Sequence, residues 1–110
     1  MPLKPEGKKY IINGKKVILY PVGRLVEELA KVGYYRDAQT IRKWEQLGVT
    51  PPATFRVGGK RLYSWEQIEA FCEVAKECNI RQGASIAMTD FPQKIWERLK
   101  EVNEKFFAEK

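Results

Sequence analysis

Gln39, Thr40, Arg42, Lys43 and Gln46 fall within eight consecutive residues, and the apolar residues nearest them, Ala38, Ile41 and Trp44, recur at every third position. On a helix that spacing gathers the apolar set on one side and turns the cations, amides and hydroxyl outward. Guanidinium, ammonium and amide groups are the donors that reach phosphate oxygens and the edges of bases. Arg36 stands just before this stretch. Arg56, Lys60, Arg61 and Tyr63 follow it around Gly58-Gly59, where the backbone is open to close approach. The chemistry these residues offer is recognition of a polyanion. A surface helix of any protein can show such residues, and cations on a hairpin also protect an exposed strand edge from aggregation.

Catalysis has no comparable support. The 110 residues contain no histidine and two cysteines, and there is no glycine-rich phosphate loop or paired carboxylate with an evident catalytic role. Cys72 and Cys78, six apart in a predicted helix, point in directions differing by roughly 120° and do not bridge one another there. A zinc site would need carboxylate help, so the thiols are expected to be small buried hydrophobes. The expectation is a protein that is not an enzyme, with no catalytic residue, no metal and no cofactor.

Charge supports the polyanion. The net charge is +6 and the sequence pI is near 9.4, but the distribution is uneven. Residues 1–24 hold six cations against Glu6, a net +5; residues 25–64 hold seven against four acids, +3; residues 65–110 hold seven against nine, −2. The basic half therefore coincides with the outward donors. With no run of eighteen apolar residues and no apolar stretch after Met1-Pro2-Leu3-Lys4-Pro5, the chain reads as soluble, intracellular and cytoplasmic, and a polyanion-binding role would associate it with the nucleoid.

The elements that must position these groups can be read in order. Residues 1–9 read as a flexible leader. Tyr10-Ile11-Ile12 and Lys15–Leu19 flank Asn13-Gly14, the pair suited to a two-residue type I′ turn, and predict a β-hairpin that Tyr20-Pro21 breaks. Leu25, Val26, Leu29 and Ala30 mark a first helix from Val22, ended by Gly33. Tyr34-Tyr35-Arg36 connects it to a second helix, with Asp37 as N-cap, Leu47 at its end and Gly48 following. Residues 54–57 and 60–63 predict a second hairpin. Ser64 and Gln67 form a capping box opening a third helix that buries Trp65, Ile68, Phe71, Cys72 and Ala75 and frays near Asn79. Residues 80–89 are expected to form a loop, and Asp90-Phe91-Pro92 starts a final helix.

Two short helices, a turn, a hairpin and a helix follow the order of a winged helix-turn-helix. At this level the residues resemble the DNA-binding domains of MerR-type regulators and their small relatives among phage and mobile-element proteins, including excisionases and terminase small subunits. Val22-Gly23-Arg24-Leu25 is similar to the opening of that family's first helix, and Thr40-Ile41-Arg42-Lys43-Trp44-Glu45 to its recognition helix. Gly48-Val49-Thr50-Pro51-Pro52 is similar to the approach to its wing, and Gly59–Ser64 to the wing exit and next N-cap. The resemblance covers roughly residues 20–75. It implies an α+β fold, a MerR-like winged helix-turn-helix with an N-terminal β-hairpin and a C-terminal helix. In that arrangement Arg42 and Lys43 contact groove and phosphate, Arg56 and Arg61 contact the backbone or minor groove from the wing, and Ile41 and Trp44 are core. The stretch between Gly23 and Thr40 is longer than is usual in the family.

The implied domain boundaries are a leader over 1–9, a hairpin plus DNA-binding domain over 10–79, and a loop with a packing or dimerisation helix over 80–110. The expected function is sequence-specific binding of double-stranded DNA by a small transcriptional regulator. A recombination or packaging accessory factor, or a protein-interaction module, is the alternative. The expected interface is Arg36, Gln39, Thr40, Arg42, Lys43, Gln46, Arg56, Lys60, Arg61 and Tyr63. A homodimer through the last helix is expected as well. Phe91, Ile95, Leu99, Val102 and Phe106 make an arc about 80° wide, while Trp96 and Phe107 widen the apolar sector to roughly 160°. A second surface, either another copy or the N-terminal hairpin folding back, should cover them.

Overall fold

Asn13 and Gly14 take up φ values of 52° and 78°, the positive pair that a two-residue hairpin turn requires. Around them β1 (Lys8–Ile12) and β2 (Lys15–Pro21) pair antiparallel, from Ile12 opposite Lys15 to Lys8 opposite Leu19. The computed structural model describes residues 7–78, 86 and 89–108. Most of the expected leader and of the loop over 80–89 therefore lies outside the described residues.

Two boundaries differ from expectation. Lys8 and Lys9 belong to β1 and not to a leader. Tyr20 and Pro21 do not break the hairpin; they extend β2, opposite Tyr63 and Leu62. A proline is tolerated because Pro21 is the last residue of the strand and the chain turns directly into helix there.

That extension joins the two hairpins. β3 (Phe55–Val57) and β4 (Lys60–Ser64) form the second one, with Gly58 and Gly59 at its tip, and β4 also pairs with β2. The result is one four-stranded antiparallel sheet in the order β1-β2-β4-β3. Because β2 and β4 run antiparallel, the tips at Asn13-Gly14 and Gly58-Gly59 lie at opposite ends of the sheet. Gly7 enters β1 where a side chain would not fit, since an added Cβ would stand 2.6 Å from Ile18 Cγ2 and 2.8 Å from Tyr20 Cε2.

Among the described residues four helices complete an α+β fold with a radius of gyration of 13.6 Å: α1 (Val22–Lys31), α2 (Ala38–Gln46), α3 (Trp65–Glu77) and α4 (Phe91–Ala108). Side chains alternate across the sheet. Val17, Leu19, Phe55 and Leu62 form a small core with Tyr10, Ile12 and Phe106 of α4 on one face. Tyr20 and Tyr63, opposite one another, join the main core with Leu25 and Leu29 of α1, Ile41 and Trp44 of α2, Ile68, Phe71 and Val74 of α3, and Phe91, Ile95 and Leu99 of α4.

α3 starts with the expected capping box: Gln67 N–H donates to Ser64 Oγ (3.2 Å) and Ser64 N–H to Gln67 Oε1 (2.9 Å). Its buried sector is wider than the stripe expected. Ile68, Phe71 and Ala75 are buried, as are Gln67, Ala70 and Val74, whereas Trp65 and Cys72 are only half-buried. The cause is that α3 has α1, α4 and the sheet as neighbours. The buried Gln67 amide is satisfied, donating to Asn103 Oδ1 (2.9 Å), and Asn103 in turn donates to Thr54 Oγ1 (2.9 Å).

On α4 the expected arc faces inward, with Phe91, Ile95 and Leu99 buried and Val102 and Phe106 half-buried. Trp96 and Phe107 touch their own chain but stay exposed, at 44% and 49%. The Trp96 indole donates to Gly48 O (3.0 Å), and Phe107 packs against Phe55 and Phe106 at centroid distances of 6.4 and 5.0 Å. The first hairpin reaches Phe106, where the Lys15 ammonium sits 4.7 Å from the ring centroid. Cys72 and Cys78 are both free and half-buried, and burial pushes the Cys72 thiol up to about 11. Among the described residues no helix is long and apolar enough to cross a membrane.

Candidate nucleic-acid interface

α2 begins where Asp37, in extended conformation, accepts from Thr40 N–H (3.0 Å) and Thr40 Oγ1–H (3.1 Å). These hydrogen bonds hold the Asp37 carboxyl below its ordinary value, so the cap stays charged at neutral pH. They also engage the Thr40 hydroxyl within the helix, which leaves it as a capping partner first. Ile41 and Trp44 face the core, and Trp44 packs between Tyr34 and Phe91 at centroid distances of 5.8 and 5.4 Å. With the inward side fixed, Gln39, Arg42, Lys43 and Gln46 are all exposed.

The longer connection before α2 has a physical anchor. Tyr34 is buried in the core, and the chain runs on through exposed Tyr35 to Arg36. The Arg36 guanidinium lies 4.8 Å from the Tyr34 ring centroid and donates to Tyr35 O (3.0 Å). Arg36 is thus fastened to the turn, and its charge stands at the entrance to α2.

The second hairpin is fastened to the same helix. Arg56 and Arg61 are directly opposite on β3 and β4, and both turn toward Glu45 of α2. Arg61 Nε donates to Glu45 Oε2 at 2.7 Å and Arg56 Nη2 to Glu45 Oε1 at 3.2 Å. The Glu45 side chain is 7% exposed, Arg61 19% and Arg56 48%. The carboxylate further raises the pKa of Arg61. This is a charge-assisted clamp on one shared acceptor, and it leaves one net positive charge.

The expected interface residues therefore divide. Gln39, Arg42, Lys43, Gln46 and Lys60 are exposed and available, and Arg56 keeps about half of its side chain in solvent. Arg61 is committed to Glu45 and acts on any ligand through the position of the hairpin. Tyr63 does not belong to the surface. It is 4% exposed, packs edge-on against Phe71 at 6.1 Å, and burial raises its pKa strongly. Period-2 alternation puts Tyr63 on the same face as Arg61 but deeper in the core.

The Tyr63 hydroxyl is buried without a hydrogen-bond partner. An orphaned buried hydroxyl costs about 1–3 kcal/mol, so Tyr63→Phe should stabilise the fold by about 1 kcal/mol. Urea unfolding of the two proteins checks this, and a destabilised variant would show that the hydroxyl is satisfied.

Glu45 is the functional residue that the sequence reading leaves without a role. The signal was present, since it is the only acidic residue between Ala38 and Ser64 in a segment with five cations. Exposed Asp37 caps α2, and a larger acidic group lies away from the hairpin: Glu66, Glu69, Glu73 and Glu77 are exposed on α3, where Arg98 of α4 bridges Glu73 (3.4 Å) and Glu77 (2.7 Å). Comparison with family models, with curated proteins and with solved structures finds no match.

Proposed function

We propose that this protein binds double-stranded DNA as a winged helix-turn-helix, with α2 entering the major groove and the β3–β4 hairpin flanking it as the wing. The observation that carries this reading is the Glu45 clamp together with what it leaves exposed. A carboxylate on α2 holds both hairpin arginines, so helix and hairpin form one rigid unit. On its solvent side the unit presents Gln39, Arg42, Lys43, Gln46 and Lys60, and its one exposed carboxylate, Asp37, is engaged in capping α2 through Thr40. A preorganised set of cations and amides suits a rigid polyanion with readable edges.

Within this reading Arg42 and the two glutamines face base edges, while Lys43, Lys60 and Arg56 face phosphates. A small MerR-like transcriptional regulator fits this division best, and a recombination or packaging factor would use the same surface. The polarity of the exposed groups argues against a protein partner, because protein-binding patches concentrate aromatic and apolar residues at their centre.

The interface is tested by adding a duplex to isotopically labelled protein and following amide resonances. The backbone amides of residues 39–46 and 58–60 should shift most, and those of Cys72 and Lys76 on α3 least. Shifts confined to α3 and α4 would contradict the assignment.

A further inference from the structure

β1 is an edge strand: in the sheet order β1-β2-β4-β3 its outer side has no strand beside it among the described residues. The two-residue turn at Asn13-Gly14 makes Ile12 and Lys15 a hydrogen-bonded pair. Alternation then directs the backbone groups of Lys8, Tyr10 and Ile12 to β2, and those of Lys9 and Ile11 to the open edge. Ile11 is 72% exposed, the most exposed large apolar side chain among the described residues, and Ile18 beside it is 47% exposed. Lysines commonly guard such edges against indiscriminate pairing, but here they alternate with isoleucines.

We infer that β1 pairs antiparallel with β1 of a second copy about a two-fold axis through Tyr10, joining two four-stranded sheets edge to edge. This register sets Lys9 opposite Ile11 of the other copy and Lys8 opposite Ile12, so no lysine faces a lysine. All four outward backbone groups of each strand are used, in two pairs of N–H···O=C bonds. Centring the axis on Lys9 instead would oppose Lys9 to its own copy, which like-charge repulsion disfavours. Centring it on Ile11 would set Lys9 against Asn13 in the turn, and part of the ladder would be lost. The lysine–isoleucine alternation thus selects one self-complementary register, and the two-fold operator closes the assembly at two copies.

The location suits this use. The Asn13-Gly14 tip lies at the opposite end of the sheet from Gly58-Gly59, so pairing through β1 covers none of the residues assigned above to DNA. The contact stands or fails independently of the DNA reading.

The register gives two substitutions of one residue opposite effects. Ile11→Lys sets a cation against Lys9 of the partner twice over, and Ile11→Glu sets an anion there twice. Both change an exposed side chain, and circular dichroism verifies that each variant folds. In sedimentation over a concentration series the wild type should reach a dimer and nothing larger. Ile11→Glu should associate about tenfold or more tightly than Ile11→Lys, since cross-strand charge pairs count twice. Amide exchange at Lys9 and Ile11 should slow as concentration rises, while that at Tyr10 stays unchanged. A monomer at every concentration, equal association of the two variants, or a dimer abolished by Trp96→Glu with these amides unprotected would overturn the proposal.

Discussion

Glu45→Ala should lower the stability of the fold by about 2 kcal/mol and, with it, loosen the hairpin from α2. The carboxylate is 7% exposed and accepts from two arginines, of which Arg61 is itself only 19% exposed. Hydrogen bonds to charged groups are worth about 1.5–3 kcal/mol each. The contact with Arg56 counts for less, because that side chain is half in solvent and surface pairs contribute little. The larger part of the loss comes from leaving the Arg61 guanidinium without an acceptor in a half-buried position. For a chain of this size about 2 kcal/mol is roughly 10 °C in melting temperature. Glu45→Gln should fall between, because the amide keeps the shape and one acceptor but sets an NH2 against the second arginine. Thermal melts of the three proteins decide it. A Glu45→Ala protein that melts with the wild type would show that the clamp contributes nothing.

Arg42→Ala should reduce discrimination between a specific and a random duplex by about 1–3 kcal/mol, the worth of a bidentate arginine–guanine contact. Arg42 is exposed on α2, two residues from inward-facing Trp44. Lys60→Ala, at the hairpin tip, should weaken both duplexes alike, because a phosphate contact carries no sequence information. The structure changes the expectation for Arg61. A plain phosphate contact would give a uniform loss with unchanged stability. Bonded to Glu45, Arg61→Ala should instead lower stability and binding together. Competition titrations beside thermal melts separate the three variants. Equal, uniform losses from Arg42→Ala and Lys60→Ala would remove base reading from Arg42.

Much of this arrangement was legible because the signals were local. The spacing of Ala38, Ile41 and Trp44, the Asp37 cap, the Ser64–Gln67 capping box and the Asn13-Gly14 turn each act within a few residues, and each appears where expected. Residues 39–46 needed only the helical period to be sorted into inner and outer faces. What failed needed knowledge of the neighbours. Pro21 reads as a breaker until β4 is known to lie beside β2, which makes it a strand end leading into α1. Tyr63 and Arg61 lie two residues apart on the same face of a cation-rich strand, and only the position of the core decides that Tyr63 is buried. Arg56 and Arg61 read as free cations because their partner is 11 and 16 residues away on another element.

Association with duplex DNA measured across a range of salt concentrations tests the proposed function most directly. Lys43, Lys60 and the solvent-facing part of Arg56 amount to about three phosphate contacts, so the logarithm of the binding constant should fall with the logarithm of salt at a slope of roughly −3. A fluorescence-anisotropy titration of a labelled duplex at four or five salt concentrations gives the slope. Binding that is absent at low salt, or that is indifferent to salt, would contradict the account.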